Sequence, residues 1–102
     1  MHHPKTEELQ LTAVLYALSD PTRLGIVTKL TGRVRCSCSD FISGVSKSTM
    51  SHHFRVLREA GLIQVGREGT QHVIQLRRAD MEERFPGLLE SVLAAAQTCE
   101  TQ

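Results

Sequence analysis

The chain has no tryptophan, one tyrosine and three phenylalanines, so aromatic residues make up only 4% of it and any core must be aliphatic. Cysteine is also scarce. Three cysteines, an odd number, fit a reducing cytosol better than a secreted disulfide scaffold. No apolar run approaches the ~20 residues that a membrane span requires, and the opening MHHPKTEELQ is polar and carries no signal-peptide core. The expected location is therefore cytoplasmic, with no membrane partner. No glycine-rich phosphate cradle, no paired acid and base and no βαβ pattern around a cysteine motif is present, so the chain is not expected to be an enzyme or to carry a cofactor. Internal repeats, low-complexity tracts and interdomain linkers are missing too.

What remains is 102 residues, 40% hydrophobic and 23% charged, with room for one core. A single domain spanning residues 1–102 is the expectation. The net charge of +1 conceals a segregation. Ten Lys or Arg face only three acids between Pro21 and Arg78, whereas the flanks carry eight acids against Lys5 and Arg84. A basic centre between acidic ends points to one face that meets a polyanion. A solvated surface with chance clustering is the alternative.

Apolar spacing at Leu11, Val14, Leu15 and Leu18 predicts a first helix over residues 6–18. Asp20-Pro21 suits an N-cap and first helical residue, and Leu24, Val27 and Leu30 stripe a second helix that Gly32 closes. A short third helix is expected around Ser39–Ser43, then a turn at Gly44-Val45. Ser46 caps a fourth helix over Lys47–Ala60, stopped by Gly61. From Leu62 to Leu76 the pattern alternates, with Arg67-Glu68-Gly69 as a turn, which reads as a β-hairpin. A last helical region begins at Asp80 and restarts at Pro86, its stripe being Leu89, Val92, Leu93 and Ala96. The predicted fold class is mainly α with a β-hairpin wing: a winged helix-turn-helix of about five helices.

The segment SKSTMSHHFRVLREAGLI, Ser46–Ile63, carries the functional signal. At about 100° per residue Met50, Phe54 and Leu57 share one side, while Ser48, His52, Arg55 and Glu59 share the other, flanked by Lys47, Thr49 and Ser51. Short hydroxyl side chains at a helix start let it sit deep in a major groove, where its free N–H groups meet phosphate. Lys47 and Arg55 add phosphate or guanine contacts. Arg67 and Thr70 at the hairpin tip fit a wing reaching the backbone or minor groove. An ordinary amphipathic helix with a Ser/Thr-rich start is the competing reading.

LSDPTRLGIVTKL, SKSTMSHHFRVLREAGLI and REGTQHVIQL together resemble the ArsR/SmtB family of bacterial winged-helix repressors, in order and spacing from about Leu18 to Leu76. The resemblance implies a homodimer built through the terminal helices, residues 1–19 and 80–102. It implies repression by binding palindromic double-stranded operator DNA, and an inducer that releases it. It also places the residues matching Lys47, Ser48, Thr49, Ser51, His52 and Arg55 at the DNA.

The inducer question falls on VRCSCSDF. Thiol-metal members of that family carry Cys-x-Cys before the reading helix, and Cys36-Ser37-Cys38 lies in roughly that place. Residues two apart diverge by about 200° on a helix but converge in extended chain. Arg33 and Arg35 should lower a thiol pKa. A disulfide across one residue is strained, so oxidation would more comfortably join one of the pair to Cys99. A trigonal arsenite site would need the same three thiols. Thiol oxidation is favoured over a soft metal, because the metal constellation is incomplete, and no resident metal is expected. Simple packing is the alternative for all three cysteines, for Cys99 as much as a role.

Adjacent helical residues diverge, so His52 is read as DNA-facing and His53 as packed at the core edge. His72 is read as a structural histidine on the inner side of the hairpin. His2 and His3 fall in a start expected to be disordered. A winged helix that binds only protein is the rival from another class.

Overall fold

A computed structural model describes residues 2–32, 36–37 and 46–100, with residues 36–37 and 98–100 described by backbone alone. Local chemistry fixes the helix boundaries first. The carboxylate of Asp20 accepts from the backbone N–H groups of Thr22 (2.9 Å) and Arg23 (3.2 Å), and with Pro21 at the first position it starts helix α2, Pro21–Thr31. Ser46 Oγ accepts from Thr49 N at 3.2 Å and starts α3, Lys47–Ala60. Gly61 ends α3 in the left-handed region at φ +89, with its N–H bonded to Arg58 O and that of Leu62 to Leu57 O. Both of these helices match their predicted bounds.

The first helix is shorter than predicted. Residues Thr6–Glu8 form a single 3-10 turn, and α1 runs only from Leu11 to Leu18. The break lies at Leu9, whose extended backbone (ψ 137) sends its side chain into the core, where it is 2% exposed. Leu9 packs on Gly61, and any Cβ added there would collide with its methyl groups. The last region is two helices, α4 (Arg78–Arg84) and α5 (Leu88–Glu100), separated at Pro86-Gly87. It begins two residues before the predicted Asp80. The expected short helix at Ser39–Ser43 and the turn at Gly44-Val45 lie outside the described residues. The described residues hold five α-helices: α1, α2, α3 and the pair at the C-terminal end.

After a two-residue strand β1 (Cys36–Ser37) and helix α3 come β2 (Ile63–Glu68) and β3 (Gln71–Leu76), which form the predicted antiparallel hairpin. Its register runs from Ile63 opposite Leu76 to Glu68 opposite Gln71, so the turn is Gly69-Thr70, with Gly69 at φ +60. Arg67 and Glu68 are therefore strand residues, not turn residues. Strand β1 pairs with the other edge of β3, Cys36 opposite Ile74, giving the sheet order β1-β3-β2. No sequence pattern announced that strand.

Val14 and Ala17 of α1, Val27 and Leu30 of α2, Met50 and Leu57 of α3, Ile63 and Ile74 of the hairpin, and Met81, Leu89 and Leu93 near the C-terminus share one aliphatic cluster. Each fully buried Leu or Ile there contributes about 1.5–3 kcal/mol relative to exposure. The stripe of Met50, Phe54 and Leu57 seats α3 on this cluster and leaves its opposite side bare. No described helix is long and apolar enough to cross a membrane.

Candidate nucleic-acid interface

Helix α3 turns its buried stripe inward, so Lys47, Ser48, Thr49, Ser51, His52 and Arg55 all lie exposed on the outside, as the sequence predicted. They differ in how free they are. Ser46 Oγ donates to Thr49 Oγ1 at 2.7 Å and lies 3.4 Å from Ser48 Oγ, so the hydroxyls of the first turn form a small cluster around the cap. Arg55 extends along the helix, with Nη2 3.4 Å from His52 Nδ1 and Nε 3.9 Å from Glu59 Oε1. Its side chain is 61% exposed, so that ion pair is screened and yields readily to a phosphate. The face can donate hydrogen bonds from hydroxyl, ammonium and guanidinium groups at the positively polarised end of a helix.

On the wing, Arg67 and Thr70 are exposed. His72 corrects the sequence reading: it is exposed and stands directly opposite Arg67. It shares the strand face of Ile74, as predicted, but it stands two residues nearer the turn, where its side chain is exposed. His52 and His53 divide as expected. His53 is 11% exposed and its Nδ1 lies 3.2 Å from Arg23 Nη1. A guanidinium only donates, so the imidazole accepts at Nδ1 and carries its proton on Nε2.

Sequence reasoning missed Arg23, which counted towards the basic centre but is 5% exposed. Its Nε donates to Ala17 O at 2.7 Å and its Nη2 to Tyr16 O at 3.4 Å, closing the carbonyl end of α1, and its guanidinium lies 5.2 Å from the Tyr16 ring centroid. The same residue thus links α1, α2 and α3. Burial raises the pKa of the neighbouring Asp20. The backbone N–H bonds from Arg23 and Thr22, with the charge of Arg23, outweigh that and hold it below 3.8. Two other cations of the basic centre are also engaged elsewhere. Arg58 donates to His2 O, and Arg77 to Pro4 O and Asp80. Among the described residues, Lys47 and Arg55 on α3 and Arg67 on the wing are exposed cations of the basic centre.

Of the three cysteines, Cys36 sits in strand β1 and Cys99 in α5, whereas Cys38 lies outside the described residues. Among the described residues no group of three or more His, Cys, Asp or Glu is placed to hold a metal ion.

A family described as a helix-turn-helix domain matches residues 18–66, from the end of α1 into β2. The chain is 33% identical over 93 residues to an uncharacterized HTH-type transcriptional regulator, YceK, of Bacillus subtilis (strain 168), an alignment that covers 86% of this chain and 92% of that one. It is 32% identical over 81 residues to the arsenical resistance operon repressor of Staphylococcus aureus, covering 78% and 77% of the two chains. Among solved structures, an ArsR-like transcriptional regulator from Rhodococcus sp. RHA1 matches with TM-score 0.60 and 29% identity over 87% of this chain and 91% of that one. The transcriptional repressor BigR from Xylella fastidiosa matches with TM-score 0.65 and 25% identity over 83% and 84%.

Proposed function

The chain belongs to the ArsR family of helix-turn-helix transcriptional regulators, and from that premise we propose that it is a homodimeric repressor whose α3 lies in the major groove of a palindromic operator. The observation that carries this reading is the contrast across α3: a buried apolar stripe on one side, and Lys47, Ser51, His52 and Arg55 exposed on the other. Ser48 and Thr49 contact phosphate from the capped first turn, and Arg67 and Thr70 follow the backbone from the wing. The protein acts in the cytoplasm as one domain, residues 1–102, and catalyses nothing. Its terminal helices, residues 1–19 and 80–102, form the dimer. In support, α1 exposes Leu11 (46%), Leu15 (46%) and Tyr16 (61%) on one apolar side. Two-fold symmetry then sets the two copies of α3 about one helical turn of DNA apart.

The inducer acts at the thiols. Cys36 and Cys38 sense oxidation, in which one of them joins Cys99: two thiols lose two protons and two electrons to a peroxide, which leaves as two waters. In support, Cys36 stands in a strand, the extended backbone in which residues two apart fall on one side of the chain. A second reading has its own observation, the similarity to an arsenical resistance operon repressor: arsenite held by Cys36, Cys38 and Cys99.

The test is duplex affinity of the metal-free protein, reduced, mildly oxidised, and reduced with arsenite. Reduced protein should bind its operator with an affinity that falls steeply with salt, since each neutralised phosphate releases counterion. A salt-independent affinity, or none, would leave a protein-interaction module instead. Loss on oxidation, restored by a thiol reductant, supports the redox switch. Loss only with arsenite supports the metalloid reading, and no loss with either removes the cysteines from sensing.

A further inference from the structure

Residues 2–9, of which His2 and His3 were expected to be disordered, are tied down along their length. Arg58 in the last turn of α3 donates to His2 O. Val65 N donates to His3 Nε2 at 3.0 Å, Arg77 Nη1 to Pro4 O at 2.8 Å, and Thr6 Oγ1 to Asp80 Oδ1 at 2.9 Å. Arg84 Nε donates to Leu9 O at 3.0 Å, and Leu9 itself is buried on Gly61. The segment therefore crosses the junction where the reading helix ends and the wing begins. His2 is held by the helix and His3 by the strand.

The His3 contact has a chemical condition. Val65 lies on β2, an edge strand of the sheet, and its N–H is a donor. Only an unprotonated Nε2 can accept it, so His3 is neutral in this arrangement. An imidazolium would have no acceptor to offer. It would also face the guanidiniums of Arg58 on α3 and Arg77 beyond β3, His2 and the amino-terminal charge, with Asp80 of α4 already paired to Arg77.

We propose that residues 2–9 form a strap that positions the wing against the reading helix, and that His3 is its proton-released latch. Its effect on DNA rests on the function proposed above. Burial, then Arg58 and Arg77, then the amino terminus and His2 hold the His3 pKa below its ordinary value of 6.5. The sign follows from that depression. The latch contributes fully above 6.5 and is lost as pH falls through the lowered value. Closed, it fixes where Arg67 and Thr70 stand relative to Lys47 and Arg55. Open, β2 loses its tie to His3 and keeps its pairing with β3 and its core contact at Ile63.

The test compares the full chain with His3→Gln, whose side-chain oxygen accepts from Val65 N–H at every pH, and with His3→Ala, which never does. Two quantities are followed between about pH 7.5 and about pH 5.5: hydrogen exchange of the Val65 amide, and affinity for a duplex of about 30 base pairs selected from a random pool by the unaltered protein. The comparison with His3→Gln cancels the titration of His52, His53 and His72. On acidification the Val65 amide should lose protection in the unaltered chain but not in His3→Gln. Duplex affinity should fall about threefold or more relative to His3→Gln, and His3→Ala should show that loss already at neutral pH. Equal Val65 protection in all three proteins overturns the latch. Val65 opening with identical affinity curves overturns the positioning role. If none of the proteins binds any duplex, the DNA reading fails, and the Val65 amide alone decides the latch.

Discussion

The two ends of the reading helix are built in opposite ways. At its C-terminal end Leu57 is fully buried, Gly61 seats Leu9, and Arg58 holds the backbone of His2. At its N-terminal end Ser46 to Thr49 are all exposed, and a hydroxyl cap holds them in place. A small aliphatic domain can present a rigid helix in this way. One end is fixed by packing, so the other can project donors into solvent without a partner of its own. Residues that serve the first end should change stability and leave the contact chemistry alone. Residues at the other end should do the reverse.

Leu57→Ala is the harshest break at the anchored end. It removes a buried side chain from the centre of the cluster and should destabilise the fold by about 2–5 kcal/mol. Denaturant unfolding reads this directly as a lower midpoint. A loss under about 1 kcal/mol would mean that α3 is not anchored where the packing places it.

At the presenting end, Lys47→Ala and Arg55→Ala should each weaken duplex binding by about tenfold, or ~1.4 kcal/mol, and each should lower the salt slope by about one. Unfolding should shift by no more than about 0.5 kcal/mol, because both side chains are exposed. An affinity unchanged in both variants would place the DNA contact elsewhere. Fluorescence anisotropy over a salt series separates the outcomes.

Which end was legible in the sequence follows from the range of the forces involved. The helix and its presenting end were readable because caps, hydroxyls and apolar spacing are local: Ser46, Gly61 and the Met50–Phe54–Leu57 stripe announce themselves within one helix. The same holds for Asp20-Pro21 and for the alternation of the hairpin. The partners of the anchored end were hidden. His2 and His3 find their partners 56 and 62 residues away, and a short polar start gives no sign of it. Arg23 reads as surface charge until the carbonyls of Tyr16 and Ala17 and the ring of His53 surround it. For His72 the strand face was legible but its coverage was not, since alternation says which residues share a side and not where the core stops. Two residues are too few for any period, so β1 left no signature at all.

Ser46→Ala tests the cap on which the presenting end depends. Removing the hydroxyl orphans the Thr49 N–H and should cost about 1 kcal/mol of stability, less than Leu57→Ala. Because the cap holds Ser48 and Thr49 in place, duplex affinity should fall with it. Ser46→Asp separates the two effects: the carboxylate restores the cap and the stability but repels phosphate. If Ser46→Asp binds as well as the unaltered chain, the first turn of α3 does not approach the backbone.

The smallest effect belongs to the strap. Hydrogen bonds from Arg77 and then Thr6 hold the Asp80 carboxyl below its ordinary 3.8, against a smaller opposing effect of burial. An acid with a depressed folded-state pKa contributes stability that is present above its unfolded value and lost as pH falls through the folded one. The Asp80 side chain is 38% exposed, so solvent screens the pair, and Asp80→Asn should cost no more than about 1 kcal/mol at neutral pH. The difference between the two proteins should shrink as pH falls below 3.8, once the carboxyl of the unaltered chain is itself protonated. A difference independent of pH would mean that Asp80 acts by shape rather than by charge. The anchored end would then lean on Leu9 and Gly61 more than on the ion pair beside them.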